Sequence, residues 1–186
     1  MSLNKFFLSP EEALIVAVDF QEKLANAMKD EVVDKILSNA TKIFNLAKVF
    51  NIPVIFTEQY PKGLGQTLQN IKIFMEEEPI EKLHFSCLKE EKFIQKFLEK
   101  ERKKIILIGM ETHVCILQTA LDFLARDYVI FVPKDAVCSR RKEDWKTGLE
   151  LIGQAGGVVT CTETLIFQIL RKAGTAEFKK MLEFVK

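Results

Sequence analysis

An α/β fold is what this sequence predicts: a three-layer α/β/α sandwich on a six-stranded parallel sheet. Three observations lead there. Apolar runs of strand length recur along the chain. Nearly every one is followed by a stretch whose apolar residues repeat with helical spacing. No linker, repeat or low-complexity segment interrupts the alternation, so one domain over residues 1–186 is expected. Strand–helix alternation produces a parallel sheet with right-handed crossovers and helices on both faces.

Each element has its own justification. Ala13–Val18 (ALIVAV) is a continuous apolar run, as in a strand covered on both faces. Residues 31–50 carry Val32, Val33, Ile36, Ala40, Ile43, Phe44 and Ala47 at helical spacing. A second strand, 53–57, is entered by a proline. Residues 60–65 (YPKGLG) read as a loop, and 80–85 as a third strand. A charged helix over 90–101 turns Phe93, Ile94, Phe97 and Leu98 inward. The fourth strand is 104–109, followed by a helix over 113–126. Strand five is 128–133, then a helix over 143–154 and strand six at 157–161. Helices over 164–171 and Ala176–Val185 complete the series.

Composition narrows the function. The chain is 48% hydrophobic and 28% charged with net charge +1, which gives no electrostatic case for nucleic acid or an anionic membrane as partner. Arg102-Lys103-Lys104 and Arg140-Arg141-Lys142 are short, flanked by Glu and read as solvated turns rather than phosphate-binding patches. Residues 1–12 lack the apolar core of a signal peptide, and no apolar run approaches the roughly 20 residues that span a bilayer. A cytoplasmic protein with four reduced cysteines is expected. No CxxC is present to suggest a zinc knuckle or a thioredoxin motif.

Ligands of such sheets bind at the carboxyl ends of the strands, so chemistry is sought there. Asp19 ends the first strand, as either a turn cap or a functional carboxylate. Lys82 interrupts an apolar strand, as edge protection or as a buried cation needing a partner. Cys115 falls in the first helical turn after strand four, with Thr112 as the N-cap. N–H groups there favour negative charge and can lower a thiol pKa or hold an oxyanion. The alternative is a small buried hydrophobe, which also fits Cys161. Cys87 and Cys138 lie in loops or at element ends. His113 is too close in sequence to face Cys115 across a helix. His84, two residues after Lys82, is expected on the same strand face. Two histidines make a poor metal site.

Together, ALIVAVDFQEKL, VIFTEQYPKGLG, EKLHFS and IGMETHVCILQTALDFLARDYVIFVPKDAVCSR resemble the isochorismatase-like cysteine hydrolases, in particular the isochorismatase domain-containing proteins. The most specific part is Gly-Met-Glu-Thr-His-Val-Cys followed by Gln-Thr-Ala. The resemblance implies strand order 3-2-1-4-5-6 and a catalytic triad of Asp19, Lys82 and Cys115. It also implies a cis peptide at Met110–Glu111, which turns the Glu111 N–H inward to join the Cys115 N–H as an oxyanion hole. Nicotinamide-hydrolysing members carry an Asp-x-His metal site after strand two; here Thr57-Glu58-Gln59-Tyr60 has no histidine, so no metal or other cofactor is expected. Members that open isochorismate's vinyl ether do not need a cysteine nucleophile. Its presence points to hydrolysis of a small amide or related carbonyl substrate through a thioester. Phe20, Gln21 and Tyr60 lie near the expected rim as candidate pocket residues. The family commonly forms dimers or larger assemblies, so a homo-oligomer is expected. Two other readings of the same fold stay open: a thiol-based redox sensor and a non-catalytic binding protein.

Overall fold

Residues of the first strand alternate between two cores, which is why its sequence is apolar without interruption. Ala13, Ile15 and Ala17 enter one buried cluster; Leu14, Val16 and Val18 enter the other. Successive strand side chains point to opposite faces, so a strand covered on both sides has no polar face. The computed structural model describes residues 3–185.

The elements are β1 (Ala13–Val18), α1 (Glu22–Asn26), α2 (Asp30–Phe50), β2 (Val54–Gln59), α3 (Pro61–Leu64), α4 (Gln69–Lys72) and β3 (Ile80–Lys82). Then follow α5 (Glu91–Glu99), β4 (Lys104–Met110), a π-helical turn (Thr112–Ile116) leading into α6 (Leu117–Leu124), β5 (Val129–Pro133) and β6 (Val137–Cys138). The last are α7 (Lys142–Gln154), β7 (Val158–Thr160), α8 (Thr162–Leu170) and α9 (Ala176–Val185). The sheet is parallel throughout, in the order β3-β2-β1-β4-β5-β7, with the two-residue β6 paired to β4. The six expected strands stand in the expected order, and β6 is an addition. Register places Val18 beside Thr57 on one side and Gly109 on the other.

One face is covered by α2, α8 and α9 through residues such as Ile43, Phe44, Ile166 and Met181. The other is covered by α5, α6 and α7 through Phe93, Phe97, Phe123 and Ile152. Phe97 and Phe123 meet edge to face at 4.9 Å, and Tyr128 closes on both. Such pairs add about 0.5–1.5 kcal/mol beyond the burial of their area. Helix α2 stops because Asn51 takes a left-handed conformation and Ile52 N–H returns to Ala47 O at 2.9 Å. Pro53 follows and cannot continue a helix.

Several boundaries differ from expectation for local reasons. β3 ends at Lys82 rather than residue 85, because the chain turns there and aims the His84 and Phe85 carbonyls at the Lys82 ammonium. Within the expected loop, Pro61–Leu64 forms one helical turn with proline at its start. Helix α8 begins at Thr162, two residues early, where Asp135 Oδ1 accepts from Thr162 N–H and Oγ1. Among the described residues, no helix is long and apolar enough to cross a membrane.

Candidate active site

Three strand ends deliver the polar groups. Asp19 follows β1 in a left-handed conformation, φ 53°, that aspartate tolerates better than most residues. Its N–H is held by Thr57 O at 3.1 Å. Beside it, Gly109 has φ 122°, and a Cβ there would lie 1.9 Å from Val18 O. Only glycine lets β4 pass β1 at this point.

Lys82 comes from β3, two strands from β1, a span of roughly 9.5 Å at ordinary strand spacing. Its long side chain closes the gap: Nζ stands 2.7 Å from Asp19 Oδ2, and both side chains are buried completely. The intervening strand β2 supplies the fastening. Thr57 and Gln59 are two apart and share a face. Thr57 Oγ1 donates to Asp19 Oδ1 at 2.8 Å, and Gln59 Oε1 accepts from Lys82 Nζ at 2.6 Å. Phe85 O, at 3.2 Å, takes a further Lys82 proton. Hydrogen bonds to charged groups contribute about 1.5–3 kcal/mol each, which matters where neither ion reaches water. Burial is the strongest influence on both ions. It raises the pKa of Asp19 against the opposing pull of Lys82 and Thr57. For Lys82, burial works downward, but the Asp19 charge and hydrogen bond together with the Cys87 and Cys115 sulfurs outweigh it, and the ammonium is retained above the usual lysine range.

Cys115 sits in the π turn that follows β4. The N–H groups on either side of it in sequence, of Val114 and Ile116, both donate to Glu111 O, at 3.1 and 3.2 Å. Helix α7 packs closely on this turn: a Cβ on Gly148 would lie 2.9 Å from Thr112 O. Cys115 is 5% exposed, and its Sγ lies 3.9 Å from Gln59 Oε1, the atom that also accepts from Lys82 Nζ. Burial pushes its pKa well up; Asp19 adds to this and Lys82 opposes it. The expectation that the helical turn lowers this pKa is therefore overturned for the closed site, because desolvation of a thiolate outweighs the turn's N–H groups. The same cause pushes Cys87 up to about 11 and Cys138 up to about 12.

The Met110–Glu111 peptide is cis. Glu111 is nearly buried, and its Oε1 accepts from Arg140 N–H at 3.1 Å and Nε at 2.9 Å. Thr112 is not the N-cap: Glu111 holds that position, and Thr112 Oγ1 is buried without a hydrogen-bond partner among the described residues.

The remaining candidates go elsewhere. Phe20 packs edge to face on Phe44 in the core. Gln21 spends its amide on backbone, donating to Gln59 O and Gly65 O and accepting from Gln59 N–H. Tyr60 stands half-exposed at the rim. His84 does not share a strand face with Lys82, because the strand has ended; its ring turns outward to Glu90 at 2.9 Å. His113 Nδ1 shares a hydrogen bond with Ser139 Oγ at 3.0 Å. Sequence reasoning missed the roles of Thr57 and Gln59, whose one signal was polar residues at alternate positions closing an apolar strand. Between them in sequence, Glu58 Oε1 accepts from Thr67 N–H and Oγ1. Among the described residues, no group of three or more His, Cys, Asp or Glu side chains could hold a metal ion.

Comparison with known proteins bears on the family and the fold. Residues 13–164 match the family model of the isochorismatase domain. Isochorismatase family protein 1B of Dictyostelium discoideum is 34% identical over 195 aligned positions, covering 100% of this chain and 90% of the relative. A structure described as the MAR1 ribonuclease of Caenorhabditis elegans superposes with a TM-score of 0.87 at 32% identity, over 96% of this chain and 92% of that one. The YcaC gene product of Escherichia coli, described as an octameric hydrolase of unknown specificity, shares the fold with a TM-score of 0.88 at 23% identity, over 96% and 90% of the two chains. With a family model spanning most of its length and a relative matched end to end, the chain belongs to the isochorismatase family.

Proposed function

We propose that the protein is a cysteine hydrolase that cleaves a small amide or related carbonyl compound through a thioester on Cys115. The observation that carries this reading is the buried Asp19 carboxylate clamped by Lys82 and Thr57, with the Cys115 thiol on Gln59 Oε1, which also accepts from Lys82 Nζ.

The chemistry follows from the protonation states. The resting nucleophile is a thiol, so its proton must leave as the S–C bond forms. Asp19 accepts it, and its raised pKa makes it a better base than an exposed aspartate. Lys82 keeps Asp19 ionised beforehand and offsets the repulsion between Asp19 and the developing thiolate. The carbonyl oxygen gains the negative charge, and the Glu111 and Cys115 N–H groups receive it. A donor in such a position is worth about 2.7–4 kcal/mol to the transition state. The intermediate collapses, the C–N bond breaks, and the leaving amine takes the proton back from Asp19. Water then attacks the thioester, giving its proton to Asp19, which returns it to the departing thiolate. The side chains of Asp19 and Lys82 have no exposed surface, so substrate entry requires the rim loops to part.

Burial and a raised pKa weigh against the redox-sensor alternative, which needs an exposed, acidic thiol. A second reading is hydrolysis of RNA, favoured by the description of the C. elegans relative as a ribonuclease. A polymer would have to reach groups enclosed in the fold, which favours the small substrate. Cytoplasmic residence fits the four free cysteines. Self-association fits the octameric E. coli structure and the exposed Leu83, Phe85 and Leu121 near the site; light scattering on the purified chain tests it.

The deciding experiment offers a panel of small primary amides and an RNA oligomer to wild type and to Cys115→Ala. Amide turnover with a thioester mass shift on Cys115, both absent in the variant, is expected. Undiminished turnover by Cys115→Ala would sink the mechanism, and RNA cleavage without amide turnover would select the second reading.

A further inference from the structure

Beyond β5 the chain opens onto a cleft of about 700 Å3 that the hydrolytic chemistry leaves unused. It straddles the carboxyl edge of the sheet, between the start of α2 on one face and the start of α7 on the other. Crevices along this edge are where open α/β sheets hold their ligands. Its cations are Lys29, Lys35, Lys134, Arg140, Arg141 and Lys142. Arg140 is paired with Glu111, whereas the other five have no ion-pair partner among the described residues.

Three carboxylates also line the cleft: Glu31, Asp135 and Glu143. Asp135 is spent on the N–H and hydroxyl of Thr162, at 2.8 and 2.9 Å. Five unpaired cations thus face two unpaired carboxylates, in a chain whose net charge is only +1. Neither helix has a side-chain cap, so first-turn N–H groups of both remain open to an anion. The carboxylates of those first turns, Asp30, Glu31, Glu143 and Asp144, oppose this in part. The wall beneath the charges is apolar, with Val32, Ile36, Val137 and Trp145.

We infer that this cleft binds a small organic dianion, a phosphate monoester with an apolar body. The head group meets the cations, and the body lies along Val32 and Trp145. A dianion matches the surplus of unpaired positive charge better than a single carboxylate does. The cleft borders the candidate active site through one segment: Cys138 pairs with Met110, Ser139 with His113 and Arg140 with Glu111. The inference does not depend on the hydrolase reading, and its test reads binding rather than turnover.

Trp145 is the chain's single tryptophan, so its fluorescence reports on the cleft directly. The intact protein is titrated with phenyl phosphate, phenylacetate and benzyl alcohol, with calorimetry in parallel. Saturable binding of phenyl phosphate, weaker binding of phenylacetate and none of the alcohol are expected, with affinity falling as salt rises. Lys35→Ala/Lys134→Ala, which changes exposed side chains only, should weaken phenyl phosphate by about tenfold or more while circular dichroism stays unchanged. No saturation at millimolar phenyl phosphate, equal binding of benzyl alcohol, or an unaltered affinity in the double variant would each overturn the inference. A single-stranded RNA oligomer that saturates the cleft where phenyl phosphate does not would overturn it too, by giving the cleft to a polymer.

Discussion

Lys82 and Lys134 illustrate two ways in which one sheet edge handles positive charge. Lys82 is enclosed, and every proton it can donate points at a protein oxygen. Lys134 lies four strands away, just past the end of β5, exposed and without an ion-pair partner among the described residues. The difference follows from solvation. A buried ion must be compensated by the fold itself, so its neighbours are fixed before any ligand arrives. An exposed ion is compensated by water, and stays available to a ligand that can displace that water. On the function and the cleft proposed above, the first arrangement prepares a reaction and the second a binding surface.

The largest expected effect comes from breaking the enclosed pair on one side. Lys82→Met should destabilise by about 3–5 kcal/mol in urea unfolding, because Asp19 is left buried and uncompensated. Asp19→Asn/Lys82→Met should recover most of that loss while remaining inactive. If the double variant is as unstable as the single one, the cost lies in packing and not in charge. The pair also has a pH signature. Lys82's pKa is raised by folding, so its contribution is complete below the 10.5 of an ordinary lysine and is lost as pH climbs through the higher folded value. The double variant lacks that alkaline step. Asp19's pKa is raised as well, so its ionisation works against the fold, and the acid limb of unfolding must come from other carboxylates.

Thr57→Val should cost about 1.5–3 kcal/mol, since it removes one bond to the buried carboxylate. It should also slow turnover by leaving Asp19 free to rotate. Thr57→Ser, which keeps the hydroxyl, should restore both; failure of the serine to rescue would mean that the methyl group matters more than the bond.

Alkylation of the thiols addresses the chemistry. Cys115 should react more slowly at neutral pH than the partly exposed Cys161, and its rate should keep rising with pH because the thiol pKa is pushed up. Lys82→Ala should slow it further, since Lys82 is what lowers that pKa. Rapid modification of Cys115 below neutral pH would show the resting site to be open and the thiolate preformed. The smallest effect belongs to Lys134→Ala, which should leave stability within about 0.5 kcal/mol, as exposed substitutions do.

Much of the layout was legible in the residues. ALIVAV announced a doubly covered strand because period-two alternation leaves no polar face. Asp19 stood out as a charge closing an apolar strand, Lys82 as a charge inside one and Cys115 as a thiol in a first helical turn; each also had an ordinary structural reading, and the family resemblance was what joined them. Gln59 did not stand out. An amide two residues past a strand core is unremarkable until Lys82 is seen in register with it. Arg140-Arg141-Lys142 read as a solvated turn and not as a phosphate-binding patch; in the structure Arg140 is tied to Glu111 and Lys142 opens α7. Only the fold brings Lys29, Lys35 and Lys134 to the same cleft.

The sequence by itself determined the alternation of elements, the sheet-covering faces and the residue types available at the strand ends. These are local properties, written in the periods of strand and helix, and they survive without knowledge of any neighbour. The tertiary structure alone decided that Lys82 reaches Asp19 across β2, that Cys115 rests as a buried thiol, and that cations from distant segments share one cleft. Each of these depends on distance through space and on the loss of water around a group, and neither is encoded in the order of residues along the chain.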